Sequence, residues 1–226
     1  MESGLSTTFI ISCRNLDGVG SSLSLIFGHV HCILSPSRGD WKPYSIYRVG
    51  VFITMSKVVL VQGSLGKDSK TAIVLEHIAT LLVSHGIETE ILDLRHLDLE
   101  FCDGRPLSAY NQDMQHAYAV LESADAYVLG MPVYQYSFSG VLKNFLDITT
   151  GAMRDKFAGI VCTAGGQGSY LASAELMKVL SFEVNVMSVQ PTVYTSSASF
   201  QEGVLVDEKV RSKIEQLVQS LLRFLS

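Results

Sequence analysis

Lys57-Val58-Val59-Leu60-Val61-Gln62, followed at once by Gly63-Ser64-Leu65-Gly66-Lys67-Asp68-Ser69-Lys70-Thr71, is the stretch on which the fold turns. The first six residues form an apolar, largely β-branched run. It is short enough for a parallel strand buried on both faces. The Gly- and Ser-rich turn then breaks it. Beyond the turn, Val74, Leu75, Ile78, Leu81 and Leu82 recur at i, i+1, i+4, i+7 and i+8, which is one face of a helix. Gly86 stands where a helix stops.

The same alternation continues to the end of the chain. Strands are expected at Glu88 to Asp93, Ala126 to Met131 (stopping at Pro132), Phe157 to Thr163 and within Val184 to Val193. Helices are expected at Asn111 to Ser123, Ser139 to Thr149 and Ala172 to Leu180. A last helix is capped by Asp207 and carries Val210, Ile214, Leu217, Val218, Leu221 and Leu222 at helical spacing. Five strands alternating with five helices predict an α/β fold: a flavodoxin-like, doubly wound five-stranded parallel sheet, order 2-1-3-4-5, with helices on both faces. Ligands of such sheets bind beyond the carboxyl ends of the strands, where the order reverses.

Residues 1–54 differ. They are Ser-rich, hold Trp41 and show no sustained period, whereas Met55 opens the regular pattern. The chain is therefore divided into an extension (1–54) and a domain (55–226). The extension reads as disordered or as a translated upstream region with the start at Met55; a targeting peptide fits less well because the segment is not distinctly basic.

Composition narrows the function. Hydrophobic residues make up 47% and charged residues 17%, a globular balance. A net charge of −5 argues against a nucleic-acid partner. No apolar run reaches the roughly 20 residues that cross a bilayer, so no membrane role is expected. Cys13, Cys32, Cys102 and Cys162 form no C-x-x-C pair, so no metal site is signalled, and their scatter suits a reducing, cytoplasmic setting.

Three turns at the predicted site edge carry unusual residues. The first leads into a helix N-terminus, where free amides and the helix dipole attract phosphate. Ser64, Ser69 and Thr71 add hydroxyls, and Lys67 or Lys70 adds charge. The bland alternative is an ordinary N-cap at Ser69. The second, Gly130-Met131-Pro132-Val133-Tyr134-Gln135-Tyr136-Ser137-Phe138-Ser139-Gly140, offers rings and amides to a flat heterocycle. Its aromatics could equally fill a subunit interface. The third, Thr163-Ala164-Gly165-Gly166-Gln167-Gly168-Ser169, has three glycines in four positions and lets backbone approach a ligand, or is simply a flexible loop. No acid–base pair or Ser/His/Asp set converges on these turns.

Taken together, Gly63-Ser64 with Ser69, Pro132-Val133-Tyr134 with Ser139-Gly140-Val141-Leu142-Lys143-Asn144-Phe145-Leu146-Asp147, and Gly165-Gly166-Gln167-Gly168 resemble the NAD(P)H-dependent FMN reductase family. The resemblance runs from about Lys57 to Phe224. It implies FMN with its phosphate on Ser64, Ser69, Lys70 and Thr71. It implies the ring against Pro132, Val133, Tyr134, Gln135, Tyr136 and Ser137, with Thr163, Gly165, Gly166 and Gly168 at the far edge. It implies hydride transfer from NADPH or NADH to FMN, small-molecule substrates, and a homodimer or homotetramer. Many members read G-S-x-R in the first turn, where this chain has Gly66 and Lys67. The Pro-Val-Tyr form of the second turn resembles reductases that supply reduced flavin to a flavin-dependent monooxygenase. The alternatives are an FMN-containing quinone, azo or chromate reductase, a flavodoxin-like electron carrier, and a flavin-free interaction domain.

Overall fold

The computed structural model describes three amino-terminal strands by their backbone and residues 56–225 in full. The chain divides into two compact units, Met1–Thr54 and Met55–Ser226. In the first, β1 (Ile10–Arg14), β2 (Gly20–Ile26) and β3 (His29–Ile33) pair as an antiparallel meander. Most of the expected extension otherwise lies outside the described residues.

The second unit runs β4 (Lys57–Gln62), α1 (Lys70–Ser84), β5 (Glu88–Asp93), α2 (Gln112–Glu122), β6 (Ala126–Tyr134), β7 (Ser137–Phe138), α3 (Gly140–Thr149), β8 (Phe157–Ala164), α4 (Ala172–Val184), β9 (Met187–Ser196), β10 (Phe200–Gln201), β11 (Val204–Leu205) and α5 (Glu208–Leu225). The long strands lie in the order β5-β4-β6-β8-β9, every pairing parallel. Counted within this unit that is 2-1-3-4-5, the expected order.

The apolar run of β4 explains itself in the packing. Successive side chains of a strand point to opposite faces, and here both faces are covered. Val59 and Val61 join Tyr127, Leu129 and Met131 under Met114, Leu121, Phe145 and Leu176, on the side of α2, α3 and α4. Val58 and Leu60 join Val128 under Leu75, Ile78, Ile214 and Leu217, on the side of α1 and α5. Each such side chain contributes about 1.5–3 kcal/mol by leaving water. Cys162 is a buried member of the first layer, and burial pushes its thiol up to about 12.

The helix ends follow local chemistry. Ser69, Asn111 and Ser139 cap α1, α2 and α3 by accepting from the amides of Ala72, Met114 and Leu142. At the end of α1, Gly86 takes φ +77°, its amide donates to Val83 O, and that of Ile87 donates to Leu82 O. This pair of bonds is the Schellman arrangement, with glycine as the left-handed residue.

Three boundaries differ from expectation. First, α4 continues to Val184, where Asn185 at φ 54° closes it, so the last long strand starts at Met187 and extends to Ser196. Second, β6 does not stop at Pro132. Gly130 O accepts from Gly63 N on the β4 side, and Pro132, two residues on, faces the same side. The β4 ladder ends at Gln62 opposite Gly130, so the missing N–H of Pro132 breaks no ladder bond. Third, β6 folds back on β7 through Gln135 and Tyr136, at φ 50° and 62°. Positive φ at both central residues marks a type I′ hairpin, which favours Asn-Gly. Non-glycine residues there cost of order 1 kcal/mol each. Replacing Gln135→Asn together with Tyr136→Gly is therefore expected to raise the melting temperature by roughly 4–8 °C, measured by thermal denaturation.

Candidate functional site

The first, second and third turns leave β4, β6 and β8, which are neighbours in the sheet. Two strand spacings, about 10 Å, therefore separate the outer pair. Two contacts tie the first turn to the second. The amide of Gly63 donates to Gly130 O at 2.9 Å, and the buried Ser139 hydroxyl donates to Gly63 O at 2.8 Å. The second and third start side by side, with Pro132 in register with Thr163. Below them Val133, Phe138 and Tyr194 pack on one layer with Ala172 and Leu176.

The first turn leaves most of its amides unspent, with two exceptions. Ser64 N donates to Gln62 Oε1 (2.5 Å) and Gly66 N to Ser64 Oγ (3.3 Å). Among the described residues, the amides of Leu65, Lys67, Asp68, Ser69, Lys70 and Thr71 donate to no protein acceptor. They gather at the positive end of α1, which favours an anion. Ser69 Oγ accepts from Ala72 N, so its proton remains available to a ligand. Ser64 and Thr71 are buried in the same turn. Lys70 departs from this set: its ammonium lies 5.6 Å from the centre of the Phe200 ring.

Arg95, which carried no signal in the sequence, reaches the outer side of this turn. Its Nη1 donates to Lys67 O at 3.2 Å and Gly66 O at 3.5 Å, and its other nitrogens grip Asp93. Burial raises the Asp93 pKa, but the hydrogen bonds and charge of Arg95 outweigh it and hold the carboxyl below its ordinary value. The pair thus stays ionised through neutral and weakly acid pH. Its contribution is lost only as pH falls through that depressed pKa.

In the second turn Pro132 is buried, Val133 and Ser137 are half-buried, and Gln135 is exposed. Tyr134 and Tyr136 are 58% and 71% exposed, far more than ring packing inside a protein allows. The third turn exposes Gly165, Gly166 and Gly168; a Cβ built on any of them meets open space, and none has a positive φ. Neither packing nor backbone conformation in the chain itself requires glycine there. Gly63 and Gly130 are the opposite case: a Cβ on Gly63 comes to 2.8 Å from Gly130 O, and one on Gly130 to 2.7 Å from Thr71 Cγ2 and Leu75 Cδ1. Thr163 Oγ1 accepts from Thr195 Oγ1 at 3.2 Å. The underside of the third turn is held by β9: Tyr194 donates to Gly166 O (2.6 Å) and pairs with Ser169 Oγ (3.0 Å), and Gln167 donates to Ser196 Oγ (3.0 Å).

The helix after the second turn has an architectural role. Asn144 accepts from Cys102 N and donates to Glu100 O, pinning the segment before α2. Lys143 and Asp147 form an exposed i,i+4 ion pair, and Leu142, Phe145 and Leu146 are core. Two surface grooves, about 470 and 330 Å³, lie elsewhere, along α5 and between α1 and β11.

The model of the family described as NADPH-dependent FMN reductase matches residues 56–200. An NAD(P)H-dependent FAD/FMN reductase of Geobacillus thermodenitrificans is 33% identical over 71% of this chain and 89% of its own length. An NAD(P)H-dependent FMN reductase of Pseudomonas aeruginosa is 32% identical over 73% and 92%. Among solved structures, FerB, a flavoenzyme NAD(P)H:(acceptor) oxidoreductase from Paracoccus denitrificans, superposes with a TM-score of 0.63. It is 22% identical and covers 76% of this chain and 97% of its own. That last likeness speaks to the fold.

Proposed function

The chain belongs to the NADPH-dependent FMN reductase family, and from that premise we propose that the three strand-end turns together form its FMN site. The protein is an NAD(P)H-dependent flavin oxidoreductase with FMN as cofactor. The observation that carries the assignment of residues is the set of unspent amides of Leu65 and of Lys67 through Thr71 at the start of α1. They and the hydroxyls of Ser64, Ser69 and Thr71 hold the phosphate. Lys70, drawn toward Phe200, contributes by field rather than contact.

FMN, when bound there, would supply the redox chemistry, as acceptor of a hydride from reduced nicotinamide. The protein's part is to position and tune. Pro132, Val133, Gln135 and Ser137 form one wall for the ring, and Tyr134 and Tyr136 offer aromatic surface to the ring or the nicotinamide. Gly165, Gly166 and Gly168, which the chain does not need as glycines for its own sake, let the third turn bring amides close to the far edge of the ring, with Thr163 beneath.

The exposed Tyr134, Tyr136, Tyr170 and Leu171 around this rim support a homodimer or homotetramer that covers them. The Pro132-Val133-Tyr134 form supports release of reduced flavin to a flavin-dependent monooxygenase. Cys102 and Cys162 are both free, which supports a reducing compartment such as the cytoplasm. Among the described residues no helix is long and apolar enough to cross a membrane.

Anaerobic titration tests the reading. FMN is expected to bind in equimolar amount, and NADPH or NADH is then expected to bleach its visible absorbance without a second protein. Bound FMN that neither nucleotide reduces would overturn the assignment.

A further inference from the structure

The first turn faces an electrostatic problem that its own residues do not solve. A phosphate cradle needs N–H groups toward the ligand and carbonyl oxygens away from it, since each oxygen carries partial negative charge. Three carbonyls in the turn, those of Ser64, Gly66 and Lys67, are drawn to donors outside the loop. Gln62 Nε2 takes Ser64 O at 2.7 Å, and Arg95 Nη1 takes Lys67 O at 3.2 Å and Gly66 O at 3.5 Å. Both donors are fixed on one group. Asp93 Oδ1 accepts from Gln62 Nε2 at 3.2 Å, and the two Asp93 oxygens accept from Arg95 Nε and Nη2 at 2.5–3.0 Å.

We propose that Arg95 is a positioning residue for the phosphate: braced on Asp93, it turns the carbonyls of Gly66 and Lys67 outward so that amides alone face the ligand. This rests on the reading of the turn as the FMN phosphate site. The geometry calls for arginine in particular. A planar fork has donors enough to grip a carboxylate along one edge and reach two carbonyls from another, whereas an ammonium is a point charge. The fork is already committed to protein acceptors. Its effect therefore passes through the backbone and not through contact with the phosphate.

The test compares FMN with riboflavin, which lacks the phosphate, in the wild type, Arg95→Ala and Arg95→Lys. Fluorescence quenching gives the two dissociation constants. Both variants are expected to bind FMN about tenfold more weakly and riboflavin within twofold of wild type. Three results overturn the proposal: FMN and riboflavin affinities falling together, neither affinity changing, or Arg95→Lys retaining full FMN affinity, which would make charge the cause. A wild type that prefers FMN to riboflavin no more than marginally overturns the phosphate-site reading itself. That outcome is separate, because it is read before any variant is made. Arg95 is on the surface side of the turn, and the lysine variant keeps its charge should the alanine variant fold poorly.

Discussion

Gly130→Ala is expected to lower the melting temperature by roughly 5–10 °C and to weaken FMN binding in the same protein. The added methyl falls 2.7 Å from Thr71 Cγ2 and from Leu75 Cδ1. Leu75 could rotate its terminal methyl away, but Thr71 is β-branched and buried, with little freedom to yield. Overpacking of this kind costs about 2–3 kcal/mol, and each kcal/mol moves the transition by about 2–4 °C in a domain of this size. Relief at Thr71 means lifting the first turn of α1 from the sheet, and that turn carries the amides proposed to hold the phosphate. Thermal denaturation and FMN titration measure both effects. A large loss of stability with unchanged affinity would show that the helix yields elsewhere than at its start.

Ser139→Ala is expected to cost about 2–4 kcal/mol. Two losses add. The α3 cap on Leu142 N is worth about 1 kcal/mol, and the buried Gly63 carbonyl loses its 2.8 Å donor, a penalty of about 1–3 kcal/mol. Ser139→Gly separates them, because glycine is tolerated as a cap but cannot reach Gly63. If Gly and Ala variants melt together, well below wild type, the bond between turns dominates. If glycine restores most of the loss, the cap does. FMN affinity is expected to fall in both, since this hydroxyl joins the turn proposed to hold the phosphate to the aromatic one.

The long elements were legible because their causes are local. β4 and β6 are continuous apolar runs since both sheet faces are covered, and the helices repeat every 3.6 residues because only one stripe is buried. The three turns were legible by composition, through Gly, Ser and aromatic residues where a plain connection needs none. What escaped was long-range or parity-dependent. Whether Pro132 ends β6 depends on which neighbour its nitrogen faces, a property of the sheet and not of the residue. The Gln135-Tyr136 hairpin contains neither Asn nor Gly, so its turn type left no trace. Arg95 and Tyr194 act on turns 28 residues away, through groups that look like ordinary surface residues in their own surroundings. The position of Lys70 in the first turn was legible, whereas the Phe200 ring 5.6 Å from its ammonium comes from a part of the chain distant in sequence.

The bed under the glycine-rich turn is made almost wholly of hydroxyls. Tyr194 has one proton to give and spends it on Gly166 O, which leaves Ser169 to donate to Tyr194. Rotation of two O–H bonds reverses that traffic: Tyr194 then donates to Ser169, and the Gly166 carbonyl is let go with no tyrosine proton stranded. The mooring is therefore compliant, able to follow the change of charge expected at the proposed ring edge, in a way that a lysine or carboxylate of fixed polarity in the same place could not.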